Sequence, residues 1–571
     1  MKYLMAFLML WLCFFPVHDT AAAFHFAVLS DRCGGPNQQA YEQVVADIAR
    51  LCPDFVITVG DLADDCRNEA GWRKAMEPLR QLSCPVYYTP GNWDIQDTQS
   101  AEVFRRVTGN APYYSFDYQG CHFTVVNNAV IECYAQMEDE QKAWLAADLQ
   151  KNRDKDQLFV FMHKPFWAQG IAQGKPDALH ELFVKYDVDA VFTGHWHQNG
   201  YAEIDGIEYN LAGSSGGAYP GDENTAMGCF YQFLWCAVDE RGLHTSIVKS
   251  GALYDKDLVS IDQEQLCYKI HTELISARAA LRKPVDDTRA HTITVEIRNE
   301  TDAPIQQPIA FSCPENWRIE PLSLPVAIEA GATLRKQFSA HILDQRIYPL
   351  PILQFTYPVC PGKAVAFSKN IHLVRSLDVP EASAPIVVDG HFTLQEWQNA
   401  EKVDQYGSLD GRPADIAETV CYFCRDASYL YIGVFCLDVD TQHIQAAVAE
   451  RDGPVYRDDC LGFMWAKGEH LYQLFINPLA TIFDRAIDAK RQQSDTNWNS
   501  AAVVATGRHF PYWHIELAIP LAELGLSEDA GVPFNFFRRQ TKSNAMGYFV
   551  PYWGRDVTQW GTLRHIPAPA R

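Results

Sequence analysis

Positive charge is scarce in this sequence. Its 571 residues contain 48 Lys and Arg against 71 Asp and Glu, which gives a formal net charge of −23. A protein that binds nucleic acid in general needs a basic face to neutralise phosphates, so the composition argues against that class of partner. Any phosphate group that this chain handles needs positive charge supplied locally, and bound metal ions are the simplest source.

Long apolar runs are also few. One covers residues 3–17, follows Lys2 and precedes Ala21-Ala22-Ala23, which is a small-residue cleavage motif. Because this run is shorter than the ~20 residues that a membrane span needs, we predict a secretory signal peptide over residues 1–23, with a membrane anchor as the alternative. We therefore expect a secreted or periplasmic protein with no membrane span after cleavage.

Repeats and low-complexity tracts are absent, and a content of 47% hydrophobic and 21% charged residues excludes disorder as the main state. The chain has sixteen cysteines, and without Cys13 an odd number remains, so at least one thiol of an exported protein stays unpaired. The pairing cannot be deduced from the sequence, although Cys313 and Cys360 are alone in their segment and form a candidate pair.

The chain divides into three segments after the signal. Residues 24–255 alternate short apolar strands with helical patterns, which predicts an α/β domain. A linker at 256–285, with a helix over 263–281, leads to a small β-sandwich at 286–376 and a second all-β unit at 377–571. In the first domain we predict strands at 26–30, 55–59, 86–89, 158–162 and 190–193, and helices at 141–149, at 178–185 and along Tyr41, Val44, Val45 and Ile48.

Polar residues follow all five predicted strands of the first domain. In an open α/β sheet the carboxyl ends of the strands meet at one crevice, so these side chains converge. Each motif alone has a simpler explanation, because Gly-Asp and Gly-Asn are common turns and a single histidine is commonly a hydrogen-bonding residue. The ordered set points instead to a pair of divalent cations. The motifs are Ser30-Asp31-Arg32-Cys33, Gly60-Asp61, Gly91-Asn92-Trp93-Asp94, His163, and Gly194-His195-Trp196-His197.

With Tyr114-Ser115-Phe116-Asp117 and His163-Lys164-Pro165-Phe166-Trp167, these motifs make 24–255 resemble the calcineurin-like metallophosphoesterase superfamily. The resemblance implies a four-layer α/β sandwich, with mixed sheets flanked by helices, and a hydrolase of phosphate esters. It implies two divalent ions (zinc, manganese or iron) that clamp the phosphoryl group and generate a hydroxide. One ion would be held by Asp31, Cys33, Asp61 and His197, and the other by Asp61, Asn92, His163 and His195.

Two positions depart from the family pattern, which has histidine at both. Cys33 either ligates as a thiolate, which favours zinc, or only packs. The resemblance implies catalytic roles at Asp61, at Asn92 and at position 93. Trp93 occupies the last of these positions, and its side chain cannot shuttle a proton. Either another group supplies the proton, or a reactive leaving group makes it unnecessary, or hydrolysis is slow; the indole is also able to stack on a sugar or base. The candidates for the missing role are His25, His122, Arg32 and Lys164.

The C-terminal segment, 377–571, resembles the family-9 carbohydrate-binding module, through motifs such as Asp389-Gly390, Glu396-Trp397 and Trp513-His514-Ile515-Glu516. The segment at 286–376 resembles immunoglobulin-like spacers. The resemblance implies glycan binding and permits calcium in the C-terminal domain. Trp397 and Trp513 are core candidates. Trp498 and Trp553 are loop candidates for a sugar, with a structural role as the alternative.

The leading hypothesis is a secreted, metal-dependent phosphoesterase acting on phosphate monoesters or diesters and tethered to a glycan-binding module. A tether raises the local substrate concentration without changing the chemistry. The alternative hypothesis is a carbohydrate-binding protein with a catalytically impaired phosphoesterase domain, and the residues at 33 and 93 motivate it.

Overall fold

A computed structural model describes residues 23–565 apart from 173, 176, 220, 283–289, 439–443, 491–492, 510 and 527–530. The predicted signal peptide lies outside the described residues except for its last residue, Ala23. Within the described residues, no helix combines the length and the apolar character needed to cross a membrane. The chain forms two compact units. The first holds the residues up to His271 together with Pro358–Val365, and the second holds Thr272–Tyr357 and the residues from Ala366 onward.

Among its described residues, the first unit contains twelve strands and seven α-helices. The strands are β1 (Phe24–Leu29), β2 (Phe55–Thr58), β3 (Val86–Tyr87), β4 (Tyr114–Tyr118), β5 (Cys121–Val125), β6 (Leu158–Phe161), β7 (Ala190–Thr193), β8 (Gly200–Ile204), β9 (Ile207–Leu211), β10 (Phe233–Asp239), β11 (Gly242–Lys249) and β12 (Ala252–Asp255). The helices are α1 (Gln38–Leu51), α2 (Glu69–Leu79), α3 (Thr98–Thr108), α4 (Asp139–Lys151), α5 (Phe166–Ala172), α6 (Ala178–Lys185) and α7 (Ile261–Lys269).

These strands form two mixed sheets of six strands each, in the orders β12-β11-β10-β1-β2-β3 and β4-β5-β6-β7-β9-β8. β1, β2 and β3 run parallel in the first sheet, and β5, β6, β7 and β9 run parallel in the second. Aromatic side chains from both sheets share one core cluster, in which the rings of Phe26 and Phe55 stack at 5.2 Å and those of Phe161 and Phe192 at 4.9 Å. The prediction of mixed sheets with helices is confirmed, and the four-layer description stays a prediction.

The helices pack by the periodicity that the sequence shows. In α1, Tyr41, Val44, Val45 and Ile48 are buried along one face, as the pattern predicted, and the side chain of Asn37 caps the first turn by accepting from the Ala40 N–H at 3.1 Å. The five predicted strands all occur within one or two residues of their predicted ends. This agreement matters because those strand ends carry the candidate site.

The second unit is built almost entirely of strands. They are β13 (Ile275–Arg282), β14 (His291–Arg298), β15 (Ile305–Ser312), β16 (Trp317–Glu320), β17 (Ser323–Ile328), β18 (Thr333–Ile342), β19 (Ile352–Cys360), β20 (Lys363–Asn370), β21 (His372–Val379), β22 (Glu401–Val403), β23 (Thr419–Arg425), β24 (Tyr429–Leu437), β25 (Cys460–Lys467), β26 (His470–Ile476), β27 (Ile482–Asp488), β28 (Ser494–Asp495), β29 (Val503–His509), β30 (Tyr512–Pro520), β31 (Val532–Gln540), β32 (Ala545–Tyr548) and β33 (Gly561–His565), with the short helix α8 (Leu521–Leu524).

One sheet of twelve strands runs through this unit, beside sheets of four and five strands. β21 crosses the predicted boundary at 376/377 and pairs in parallel with β33, with Ser376 opposite Thr562. The two segments that the sequence separates at this point therefore share one sheet, and their description as two sandwich domains stays a prediction.

The predicted helix over 263–281 is correct as far as Leu274. α7 ends at Lys269, a π-helical turn covers Ile270–Leu274, and β13 follows, pairing with β14 and β21. Ile275, Ala277, Ala279 and Leu281 are buried at alternate positions. Alanine and arginine favour a helix locally, but the pairing of β13 between two other strands overrides that propensity.

Candidate metal centre

The candidate ligands lie where the sequence placed them, at the carboxyl ends of parallel strands. Asp31 follows β1, Asp61 follows β2, His163 follows β6, and His195 and His197 follow β7. Asn92 comes after β3, five residues beyond its last residue. The two sheets thus supply donors to one crevice from opposite sides, as expected for strands that end at a common edge.

His163 is the centre of the group. Its Nε2 lies 3.0 Å from Asn92 Oδ1, 3.0 Å from His195 Nδ1 and 3.2 Å from Asp61 Oδ2. Asp61, His163 and His195 are the potential metal-binding group found among the described residues, with one ligand atom from each side chain and all three atoms within 4.8 Å of one another. The single N–H at His163 Nε2 cannot satisfy three hydrogen-bond acceptors. A divalent cation placed among these atoms would be coordinated by all four of them at once.

Backbone carbonyls orient two of the imidazoles. His163 Nδ1 lies 2.8 Å from the carbonyl oxygen of Val59, and His197 Nδ1 lies 2.6 Å from that of Ala218. A carbonyl only accepts, so each Nδ1 donates its proton and each Nε2 faces the crevice. This second contact on the far side of the ring is the arrangement that fixes metal-binding histidines.

Asp31 and His197 form the other half of the predicted centre. Asp31 is fully buried, and its Oδ1 lies 3.4 Å from His197 Nε2 and 4.0 Å from His163 Nδ1. The backbone N–H of His195 donates to its Oδ2 at 2.9 Å. Burial alone would raise the pKa of Asp31, but the positive charges of His197 and His163 lower it below its ordinary value. The carboxylate is therefore ionised and available to a cation.

Cys33 does not join this half. Its sulfur lies 2.9 Å from the carbonyl oxygen of Ala63 and 3.6 Å from a guanidinium nitrogen of Arg32, and the Cys33 backbone N–H donates to the carbonyl of Asp61 at 3.0 Å. Burial, reinforced by the charge of Asp94, raises the pKa of the thiol far above its ordinary value. Of the two readings of Cys33, this placement favours packing, with the thiol donating to Ala63.

Trp93 lies at the rim of the group. Its backbone N–H donates to Asp61 Oδ1 at 2.8 Å, while its side chain is 41% exposed. The indole is therefore presented to solvent beside the candidate ligands, a position from which it can contact a bound molecule.

The four residues considered as replacements for the missing histidine are each engaged elsewhere. His25 stacks on Trp235 at 5.3 Å; His122 lies 2.6 Å from Asp117 and 3.0 Å from Asp148; Arg32 pairs with Asp64 at 2.9 Å; and Lys164 pairs with Glu132 at 2.7 Å. Each of the four side chains thus has another partner, and these contacts do not assign the missing role to any of them.

Asp94 is a positioning residue that the sequence motif contained but did not explain. It is fully buried, and its carboxylate accepts the N–H groups of Asp61, Leu62, Ala63 and Gly91 at 2.7 to 3.0 Å. The loops after β2 and β3 are thereby held to each other. Burial and the charge of Asp61 raise the pKa of Asp94 above its ordinary value, against the effect of these N–H groups.

A turn at residues 214–217 was not anticipated by the sequence reasoning. The N–H groups of Ser215, Gly216 and Gly217 all donate to the carbonyl of Asp31, at 3.0, 3.1 and 3.1 Å. A Cβ on Gly217 would lie 2.6 Å from the His197 ring, so a glycine is needed there. The run of small residues in Gly213-Ser214-Ser215-Gly216-Gly217 was the available signal, since such runs mark close backbone approach.

Three candidate ligands adopt left-handed backbone conformations. The φ angles are 61° at Asp61, 79° at His195 and 60° at His197. Such conformations cost free energy for residues other than glycine and collect at functional sites. At neighbouring Gly91, a Cβ would approach Asp61 Oδ1 to 2.2 Å, which explains why glycine precedes Asn92.

The two facing histidines titrate differently. Burial opposes the charged form of His163, but the carboxylates of Asp61 and Asp31 raise its pKa to about 9. Burial and the positive charge of His163 lower the pKa of His195 to about 4. Near neutral pH these shifts favour the charged form of His163 and the neutral form of His195.

The aromatic candidates of the C-terminal segment are packed among other rings. Trp498 lies 4.8 Å from Tyr472, and Trp553 lies 4.4 Å from Phe537, and both tryptophans are half-buried. Trp397 and Trp513 are each 1% exposed, which confirms them as core residues. All fifteen cysteines in the described part of the chain are thiols, Cys313 and Cys360 included.

Strand-end carboxylates, an asparagine and three histidines in one crevice between two mixed sheets define the class of a metallophosphoesterase domain. Residues 24–199 match the calcineurin-like phosphoesterase family model, so the resemblance predicted for this part of the chain is confirmed, and this segment is a calcineurin-like phosphoesterase domain.

Curated relatives match the same part of the chain. It is 26% identical over 208 residues to the human serine/threonine-protein phosphatase CPPED1, which covers 31% of this chain and 66% of the relative. It is 26% identical over 184 residues to the 3',5'-cyclic adenosine monophosphate phosphodiesterase CpdA of Haemophilus influenzae, which covers 30% of this chain and 66% of that protein. The matches thus span slightly less than two thirds of these relatives.

Among solved structures, a family-9 carbohydrate-binding module from Caldicellulosiruptor kristjanssonii in complex with cellotriose aligns with 33% of this chain and 93% of its own, at 11% identity and a TM-score of 0.24. A TM-score this low carries no argument about fold or ligand.

Proposed function

We propose that the first unit hydrolyses phosphate esters with two divalent ions. Asp61, Asn92, His163 and His195 would hold one ion, and Asp31, Asp61 and His197 the other. The observation that carries the proposal is the convergence of donors on His163 Nε2, from three other strand ends within 3.2 Å. The phosphatase and phosphodiesterase names of the relatives support it. When bound, such ions polarise a phosphoryl group and lower the pKa of water.

The chain's own residues prepare this chemistry. Val59 and Ala218 fix the tautomers of His163 and His197. The carboxylate of Asp94 accepts hydrogen bonds from four backbone N–H groups and so holds the loop of Asp61 against the loop of Asn92. The negative charges of Asp31 and Asp61 leave a surplus of two positive charges when two divalent ions are present. An acidic protein can bind an anionic ester at such a point.

Trp93 sets the class of ester. Trp93 cannot donate a proton to a departing alcohol, and among the described residues the four candidates for that role all have other partners. A general acid contributes ~10²–10⁴-fold. We infer that the enzyme acts on esters whose leaving groups are stable as anions, such as aryl phosphates. The half-exposed indole offers a planar face on which an aromatic leaving group can stack.

The second unit's role and the location of the protein are proposals from the sequence. The signal pattern supports a secreted or periplasmic protein. The resemblance of 377–571 supports glycan targeting and permits calcium, although the half-buried Trp498 packs against Tyr472 and the half-buried Trp553 against Phe537. Phosphorylated glycans or other cell-surface esters would suit this combination.

The test is elemental analysis of the purified full chain, joined to assays with aryl and alkyl phosphate monoesters and diesters. We expect bound zinc, manganese or iron, hydrolysis of aryl esters, loss of activity on chelation, and recovery when the metal is returned. Equal rates on aryl and alkyl esters would refute the leaving-group inference. A metal-free, inactive protein that binds polysaccharide would favour the alternative, a carbohydrate-binding protein with an impaired phosphoesterase domain.

A further inference from the structure

A cavity of about 1210 Å³ lies within the second unit, and every residue that lines it belongs to that unit. Four neighbouring strands, in the order β18-β14-β13-β21, form its floor. Its walls come from the end of β20, from the loop at 409–411 and from the segment at 551–559. Pockets for small ligands hold roughly 300–1,000 Å³, so this cavity has room for a chain of several rings.

The floor of the cavity is polar because side chains alternate along its strands. In β14 every second side chain is buried, and the positions between them line the cavity: Thr292, Thr294 and Glu296. Strand pairing places polar residues of the neighbouring strands beside them on the same face. One row across the floor is His372, Arg278, Thr294 and Gln337. The next row is Ser276, Glu296 and Arg335.

The charges in the cavity balance. Six charged residues line it, three basic and three acidic: Arg278, Arg335, Lys369, Glu273, Glu296 and Asp556. Burial and the positive charge of Arg278 lower the pKa of His372 to about 4, so that imidazole is neutral at pH 7. The lining thus has no formal net charge, in contrast to −23 for the whole chain, and this favours a polar, uncharged ligand.

Two side chains of the cavity suit a ligand that carries hydroxyl groups. His372 Nε2 is buried and has no hydrogen-bond partner among the described residues. A hydroxyl group both donates and accepts, so it satisfies this nitrogen in either tautomer of a neutral imidazole, whereas an ionised carboxylate only accepts. The half-buried Tyr552 ring lies 6.2 Å from the His372 ring, at an angle of 81°. An aromatic surface therefore lies beside the nitrogen that lacks a partner.

We propose that this cavity binds a neutral oligosaccharide. A sugar ring carries hydroxyls around its edge, which suit the rows of donors and acceptors on the floor. It also has a C–H face, which packs on an aromatic ring such as that of Tyr552. The proposal rests on the glycan targeting proposed for the second unit and gives it a location on β13, β14, β18 and β21, and not at Trp498 or Trp553.

The test is isothermal titration calorimetry on the full chain with four neutral probes, cellotetraose, laminaritetraose, mannotetraose and xylotetraose. A heparin tetrasaccharide is the charged comparison. We expect at least one neutral probe to bind with a Kd below about 1 mM, and tighter than the heparin probe. If no neutral probe binds, both the cavity site and the glycan targeting are wrong. If heparin binds more tightly than every neutral probe, the inferred class of ligand is wrong.

Variants locate the binding site. Gln337→Trp introduces a bulky side chain at an exposed position of the floor, so we expect the Kd of the bound neutral probe to rise at least about tenfold. Lys336→Trp is the control, because Lys336 is exposed on the same strand and its side chain lies on the other face. Its Kd should stay within about threefold of wild type. An equal affinity in wild type and Gln337→Trp would show that the cavity is not the site.

Two further measurements separate this failure from a failure of glycan targeting. Trp498→Ala should retain the affinity for the neutral probe; if it loses binding while Gln337→Trp retains it, the glycan site lies at Trp498 and only the cavity proposal fails. Hydrogen exchange of the wild type needs no variant to fold. We expect the bound probe to slow exchange in peptides that cover 276–280 and 551–559, and unchanged exchange in both would refute the cavity site.

Discussion

The two halves of the candidate metal centre are unequal. Around His163, three other side chains place a ligand atom within 3.2 Å of its Nε2, so the ligands proposed for a cation are already gathered. Around Asp31, His197 Nε2 lies at 3.4 Å and His163 Nδ1 at 4.0 Å, and the sulfur of Cys33 contacts Ala63 instead. The sequence does not distinguish the two halves, because the ligands of both follow the ends of strands in the same sheets.

The difference arises from side-chain reach and direction. The Cys33 N–H donates to the carbonyl of Asp61, which fixes the backbone there, and the short side chain then lies against Ala63. The thiol donates to that carbonyl, and burial raises its pKa, which favours the protonated form. If the proposed metal centre is correct, we expect the half around His163 to bind a cation more tightly than the half around Asp31.

The largest effect should come from the residue that both halves share. Asp61→Asn keeps the shape of the side chain but removes the charge, and we expect kcat/KM for an aryl phosphate to fall by at least about 10³-fold. The reason is the loss of several kcal/mol of transition-state stabilisation, where about 1.4 kcal/mol is a factor of ten. Asp65→Asn, at an exposed position of the same loop, is the control and should stay near wild type. Similar losses in both variants would break the assignment of Asp61.

A substitution of Trp93 tests whether the reaction rate is limited by the missing proton donor at the rim of the site and not by the metal ions. Trp93→His restores an imidazole where the family pattern has one, so we expect alkyl phosphate hydrolysis to rise by about 10²-fold, with a smaller gain on aryl esters. Steady-state rates on a series of esters with different leaving-group pKa values measure this. If the slope of rate against leaving-group pKa is the same in both proteins, the leaving-group inference fails.

A pair of histidine variants compares the halves directly. His195→Ala removes a donor from the crowded half, whereas His197→Ala removes one from the sparse half. We expect His195→Ala to weaken the tightest ion at least about tenfold, and His197→Ala to retain it while losing the weaker ion.

Metal titration followed by elemental analysis reads out both variants. His244→Ala, an exposed histidine of the same unit that contacts Asp239, serves as the control. The ranking of the halves would be reversed if the tight ion disappeared in His197→Ala and persisted in His195→Ala.

Strand ends were the part of the site that the sequence could predict. Periodicity located β1, β2, β3, β6 and β7, and the carboxyl ends of parallel strands must meet, so the convergence of Asp61, His163 and His195 followed. The direction of the Cys33 side chain did not follow, because it depends on a hydrogen bond to a distant loop. The hydrogen bonds from residues 214–217 to the carbonyl of Asp31 could not be predicted either. The order of strands in the sheet brings those residues to the site, and the local sequence does not reveal that order.

The second unit shows the same limit on a larger scale. Alternation at Leu430, Ile432 and Val434 correctly indicated strand β24, whose three side chains are fully buried. The parallel pairing of β21 with β33, which joins two segments into one sheet, leaves no local trace, because the partners lie far apart in the chain. Likewise, β13 carries helix-favouring residues, and only its two neighbouring strands make it extended.

The smallest effect on metal content and activity is expected from a substitution of Cys33. This variant tests whether the direction of the Cys33 side chain explains the difference between the two halves. Because the thiol donates to Ala63 and does not face the donors, Cys33→Ser should keep the metal content and should change kcat/KM by no more than about threefold, since a hydroxyl can make the same hydrogen bond. Cys66→Ser, another buried thiol of this unit, controls for packing loss. If Cys33→Ser instead loses one ion while Cys66→Ser retains it, the sulfur is a metal ligand, and the proposed inequality of the two halves is wrong.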